Sequence, residues 1–130
     1  MERWLGKYSE ACYAVMRIVV GILFACHGAQ KLFGVFGGQN IPATPLIITA
    51  GVIEFVGGGL VAIGFFTGYA AFITSGQMAV AYFQGHAAGG FWPIVNQGEL
   101  AVLYCFVFLY LATRGSGRLS VDELIKKRRL

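Results

Sequence analysis

The sequence predicts an all-α membrane protein: four transmembrane helices in an antiparallel bundle, followed by a short amphipathic tail helix. Three observations point there. Hydrophobic residues make up 57% of the 130-residue chain and charged residues only 12%, against about 25% charge in soluble domains. Mean hydropathy is +0.68. Of the sixteen charged residues, twelve lie in segments 1–10 and 114–130, leaving four in between. A small soluble domain has too much surface for its volume to hide so few polar residues. A soluble enzyme, a disordered chain and a disulfide scaffold are thereby excluded, and a single domain over 1–130 is expected.

A bilayer core of about 30 Å needs roughly 20 apolar residues at 1.5 Å each. Four segments approach that length, over about 11–33, 46–66, 69–86 and 96–114. The breaks between them carry turn chemistry: Gly37-Gly38-Gln39-Asn40-Ile41-Pro42, Thr67-Gly68 and Gly89-Gly90-Phe91-Trp92-Pro93. The second break is so short that spans two and three must form an antiparallel hairpin. Arg17 interrupts the first apolar run, and that run is too long for a signal-peptide core, so it is read as a retained helix.

Charge sets the orientation. Arg3 and Lys7 precede span one, and Arg114, Arg118, Lys126, Lys127, Arg128 and Arg129 follow span four. Loops 34–45 and 87–95 contain no Lys or Arg. The positive-inside rule then places both termini in the cytoplasm. Trp4, Tyr69, Phe91 and Trp92 fall near the expected interfaces. Small residues recur where helices could approach closely: Gly21, Ala25 and Ala29 on span one, Gly51 and Gly58 on span two, and Gly64 and Gly68 around the hairpin. In the tail (115–130), Ser120 with Glu123 three residues on has the form of a capping box. The basic end of the tail suits an anionic leaflet. It accounts for the high isoelectric point without any nucleic acid partner.

Ionisable residues inside a span are expensive and therefore candidate functional groups. The polar set is Arg17, His27, Lys31, Glu54, Gln77, His86, Asn96 and Glu99. Helical rise puts Gln77 near the bilayer centre and Glu54 about 3 Å outward. His27, Lys31, His86, Asn96 and Glu99 lie farther out, and only Arg17 falls inward. His27 and Lys31, four apart, share a helix face. Glu54 has three possible partners in Arg17, His27 and Lys31, and Glu99 two in Lys31 and His86. Plainer roles exist for several. Asn96 and Glu99 fit a helix N-terminus as cap and third residue, after Pro93. Lys31 and Arg17 can snorkel to opposite interfaces, and His86 can sit at one. Glu54, mid-span and unable to reach water alone, is the hardest to explain without a partner or a site.

Other patterns carry less. Cys12, Cys26 and Cys105 form no metal-ligand spacing; a redox pair of Cys26 with Cys105 stands beside their reading as small hydrophobes. The two histidines differ in depth, which argues against shared haem or copper. No intrinsic cofactor and no metal are expected. Gly57-Gly58-Gly59-Leu60-Val61-Ala62 is a loose dinucleotide fingerprint inside an apolar span, with no strand before it.

Several of these stretches together resemble the DoxX family. They are Arg17 followed by His27-Gly28-Ala29-Gln30-Lys31-Leu32, then Glu54-Phe55-Val56-Gly57-Gly58-Gly59-Leu60 with Gly64. They continue with Pro93-Ile94-Val95-Asn96-Gln97-Gly98-Glu99-Leu100 and Gly115-Ser116-Gly117-Arg118-Leu119-Ser120-Val121-Asp122. The resemblance covers roughly 11–122. It implies a small four-helix protein of the bacterial cytoplasmic membrane, some of whose relatives look like subunits of thiosulfate:quinone oxidoreductases. Others are associated with thiol-redox and oxidative-stress complexes. The expectation is a quinone- or redox-linked subunit, with quinone as a ligand and a redox partner protein or homo-oligomer beside the lipid bilayer. As an enzyme it would be a non-autonomous oxidoreductase subunit. The rivals are a non-catalytic membrane scaffold and a small transporter or channel.

Overall fold

The computed structural model describes residues 1–38 and 41–130, and every regular element among them is helical. A short helix, Glu2–Leu5, and a 3-10 turn, Gly6–Tyr8, lead into α1, Ser9–Phe33. Helix α2 runs over Pro45–Ile63, α3 over Thr67–Gly85, α4 over Glu99–Arg114 and α5 over Val121–Arg128. Two stretches, Glu2–Phe33 and Pro45–Ile63, are long and apolar enough to cross a membrane. The turn expected at Gly37–Pro42 includes Gln39 and Asn40, which lie outside the described residues.

Local chemistry explains the helix ends. Helix α1 stops at Gly34, whose φ of 67° is the left-handed conformation that suits glycine. Thr44 caps α2 by accepting from the Ile47 amide, and Pro45 takes the first helical position. The second turn corrects the sequence reading: Thr67 and Gly68 are the first residues of α3, and the reversal occurs at 64–66. Gly64 (φ 73°) and Phe66 (φ 48°) are both left-handed. The free amides of Phe66 and Thr67 are met by the Asp122 carboxylate at 3.0 and 3.3 Å, which lets α3 begin two residues early.

The start of α4 also differs. Asn96 ends a separate turn, Pro93–Asn96, Gln97 is left-handed, and Gly98 is the residue preceding the helix. The Asn96 side chain accepts from the Gly98 amide at 2.8 Å, so it shapes the turn and does not cap α4. Glu99 becomes the first helical residue, two positions short of where a capping box would need it. The tail shows half of its box: Ser120 Oγ accepts from the Glu123 amide at 3.1 Å, while the Glu123 carboxylate accepts from the amide of Leu119, one residue before the cap.

Helix α1 lies along α2, and α3 along α4. The first pair approaches backbone to backbone. A Cβ on Gly28 would sit 2.3 Å from the Phe55 nitrogen, and one on Gly21 would sit 2.5 Å from that of Ala62. Gly51 and Gly58 form the facing side, as their spacing predicted. The two pairs join through aromatic rings. Phe24 of α1 packs on Tyr104 and Phe108 of α4, with centroids 5.1 and 4.6 Å apart.

At the end holding both termini, Arg17 ties three segments together. Its guanidinium is fully buried and donates to the carbonyls of Val61, Ala62, Arg118 and Leu119 at 2.7–3.1 Å. A cation at the C-terminus of α2 also complements that helix's dipole. Nearby, the Tyr13 hydroxyl donates to the Gly115 carbonyl at 2.5 Å, and Arg114 pairs with Glu10 while lying over the Tyr13 ring. The outward helix faces, by contrast, leave large apolar side chains bare, among them Phe72, Phe83, Leu103 and Phe106.

Candidate functional site

Glu54 is the deepest carboxylate in the bundle, 1% exposed. It sits in a π-helical segment, Ile53–Gly57, that interrupts α2. Such a one-turn widening inserts a residue and re-aims the side chains around it; it recurs at functional sites. Three consecutive glycines, 57–59, weaken the regular helix there. Gly57 also lets α3 come close: a Cβ there would meet Thr74 Cγ2 at 2.5 Å.

The re-aimed carboxylate meets Lys31. Lys31 Nζ donates to Glu54 Oε1 at 2.7 Å and Oε2 at 2.5 Å. The lysine side chain is 14% exposed and the glutamate's 2%. Gln77 of α3 completes the group, its Nε2 donating to Glu54 Oε1 at 3.1 Å. The opposite amide orientation would set oxygen against carboxylate oxygen. Gln77 Oε1 is buried and has no partner among the described residues. Helices α1, α2 and α3 therefore each supply one member of a charge-neutral triad. Pairing offsets the large cost of burying either ion alone.

A cavity of about 230 Å³ opens beside the triad. Lys31 and Glu54 form one wall together with His27. Phe24, Tyr104, Met78, Ala81, Leu100 and Ala101 make an apolar remainder, and His86 and Gln97 line the loop-side end. The His27 ring stands edge-on to Tyr104 at 6.0 Å, and Tyr104 stacks on Phe108. Among the described residues neither the His27 ring nor the Tyr104 hydroxyl has a hydrogen-bond partner. Both remain free to bond a ligand. The volume lies below the roughly 300–1,000 Å³ of pockets that enclose drug-sized molecules, so it suits a single ring.

The other expected residues divide. His86 Nδ1 lies 3.2 Å from the Asn96 carbonyl. Asn96 Nδ2 donates to the Tyr82 hydroxyl and the Gly90 carbonyl. Tyr82 in turn donates to Phe91, so Asn96 and Tyr82 hold the loop between α3 and α4. Glu99 is exposed at the head of α4 and meets neither Lys31 nor His86. Arg17 is fourteen residues before Lys31 on α1, about 21 Å along the axis, and serves the far end instead. Lys31 does not snorkel; it pairs. Cys26 and Cys105 are both free thiols, and Cys105 lies against Ser75, whose hydroxyl donates to its carbonyl at 2.7 Å. No cluster of three metal-ligating side chains occurs among the described residues.

Sequence reasoning missed Tyr104, a plain aromatic in an apolar helix. Its one available signal was Phe108, four residues on and on the same face. It also missed Asp122, although that residue ends the last of the quoted stretches.

Comparison with known proteins agrees with the resemblance. The DoxX family model matches residues 13–87, which include Arg17, His27, Lys31, Glu54, Gln77 and His86. An uncharacterized protein of Haemophilus influenzae is 43% identical over 131 residues, covering 95% of this chain and 98% of that one. No solved structure matches significantly. The chain thus belongs to the DoxX family of membrane-type helical proteins.

Proposed function

We propose that this DoxX protein crosses the bacterial cytoplasmic membrane four times as a single domain. We further propose that it acts as a quinone- or redox-linked subunit whose headgroup site is the Lys31–Glu54 cavity. Four spans are supported by the bare apolar faces of α3 and α4 as well as α1 and α2. At 1.5 Å per residue α3 and α4 are about 28 and 24 Å long, close to the hydrocarbon thickness. Both chain ends and the 64–66 turn lie at one end of the bundle, where Arg3, Lys7, Arg114, Arg118 and the basic tail also lie. The loops at the other end have no Lys or Arg. That asymmetry supports cytoplasmic termini.

The observation that carries the redox reading is a buried ion pair opening onto a ring-sized cavity with two unpartnered hydrogen-bonding groups. A quinone needs donors at its carbonyls and a proton source. His27, Lys31 and Tyr104 supply donors around the cavity, and Glu54 is placed to hold a proton once a bound ligand draws Lys31 away. Reducing a quinone to its quinol takes two electrons and two protons. The two electrons come from a partner protein and the two protons from water, with Glu54 as the group placed to relay them. A scaffold role is the second reading, favoured by the fact that Lys31 already satisfies both Glu54 oxygens. Thermal unfolding of the purified protein with short-tailed quinones separates the two. Binding predicts saturable stabilisation that is lost in Glu54→Gln; the scaffold role predicts altered stability with no quinone response in either form.

A further inference from the structure

We propose that the end of the bundle carrying both termini binds an anionic phospholipid, with one acyl chain between α3 and α4 and the headgroup on the cations of α5. The proposal rests on the reading that α3 and α4 lie in a membrane, and it concerns a face remote from the Lys31–Glu54 cavity. Two separate features meet there. The first is an open groove of about 500 Å³ walled by Tyr69, Phe72 and Ile73 of α3 and Leu109, Ala112 and Thr113 of α4. These residues come from the first two turns of α3 and the last two of α4, so the groove lies at the end where the tail docks. Its walls are almost wholly apolar and it opens sideways, towards the space a bilayer fills with acyl chains.

The second feature is α5 itself. Asp122 fixes one of its faces against the first amides of α3. Lys126 and Arg129 lie one and two turns along that same face. Asp122 is engaged with α3, and Glu123 is bound to Lys127 at 3.1 Å. Lys126, Arg128 and Arg129 accordingly have no ion-pair partner among the described residues. Leu119 and Leu124 are 70% and 60% exposed beside them. An apolar stripe flanked by unneutralised cations lies naturally in a headgroup layer. The net negative charge of an anionic headgroup complements those cations, whereas a zwitterionic headgroup brings its own cation and gains little. The bonds of Arg17 to Leu119 and of Asp122 to Phe66 and Thr67 hold the tail helix at the same end of the bundle as the groove.

The test uses the full-length protein in nanodiscs of equal phosphatidylglycerol and phosphatidylcholine, with retained lipid counted by native mass spectrometry. The wild type should keep phosphatidylglycerol preferentially. The triple variant Lys126→Gln, Arg128→Gln, Arg129→Gln, which spares the Lys127–Glu123 pair, should lose at least about five-fold of that preference, the worth of one cation near a membrane surface. Ala112→Phe, which fills the groove, should lower retention of both lipids alike. Equal retention by the wild type, or an undiminished preference in the triple variant, overturns the proposal. So does loss of a co-purified protein, with no loss of lipid, from the triple variant. A wild-type chain that does not enter nanodiscs at all refutes the membrane reading, and the proposal with it.

Discussion

Replacing Arg17 with methionine keeps much of the side-chain volume and removes four hydrogen bonds at once. Val61 keeps a partner in the Gly64 amide. The carbonyls of Ala62, Arg118 and Leu119 lose the one partner they have among the described residues. These bonds are part-buried, so water takes up some of what is lost; hydrogen bonds from a charged donor contribute about 1.5–3 kcal/mol each, and the net loss comes to roughly 3 kcal/mol. Thermal unfolding in detergent should then fall by roughly 10 °C, taking about 3 °C per kcal/mol for a chain of this size. The loss should be local first. Hydrogen exchange should accelerate at 115–124 and at the first turn of α3, where Asp122 is positioned by the same clamp. Arg17→Lys should restore only part, because one ammonium cannot span carbonyls from two segments as a guanidinium fork does. An Arg17→Met protein with unchanged exchange in the tail would refute the clamp.

Other expectations follow from the same contacts. Gly28→Ala should destabilise by about 1–3 kcal/mol or more, because the new methyl meets α2 backbone that cannot yield. Gly76→Ala, with nothing within 4 Å, should be neutral or gain up to about 1 kcal/mol from helix propensity; equal costs at the two sites in thermal unfolding would contradict the seam. Lys31→Met alone should cost about 3–5 kcal/mol by leaving the Glu54 charge unpaired, while Lys31→Met with Glu54→Gln should recover most of it. A double-variant cycle with additive losses would argue against the pair. The hydrogen bond from Lys127 holds the Glu123 carboxyl below the usual carboxylate range. Its contribution to the tail helix is therefore full above the unfolded value, near 4.3, and is lost as pH falls through the lower folded one. Protection of the 121–128 amides, measured relative to their intrinsic exchange rates, should fall in that acid range, and this fall should be absent in Glu123→Gln.

Much of this architecture was legible because membrane chemistry is strict. Apolar length gave the four long helices, and the spacing of Gly21, Gly51 and Gly58 gave the seam, since only small residues let backbones approach so closely. Glu54 stood out as a mid-span carboxylate. Its partner did not, because Arg17, His27 and Lys31 were all possible from spacing. The π-helical turn that aims it at Lys31 depends on α1 and α3 packing at Gly57 and Gly28. The roles of Asn96 and Glu99 were misread for a related reason. A capping pattern does not show that Gln97 turns left-handed and shifts the helix start. Asp122 and Arg17 act across 55 and about 100 positions, and the backbone groups they bind leave no mark in a sequence.

The central claim, that the Lys31–Glu54 cavity takes a quinone headgroup, is tested most directly by photolabelling. A photoreactive short-tailed quinone would be irradiated with the membrane-embedded protein, and the modified peptides mapped by mass spectrometry. Labelling is expected around His27 and Tyr104, displaced by excess unmodified quinone and abolished in Glu54→Gln. Labelling confined to outward faces such as Phe72 and Leu103, or label at the cavity that excess quinone leaves in place, would contradict it.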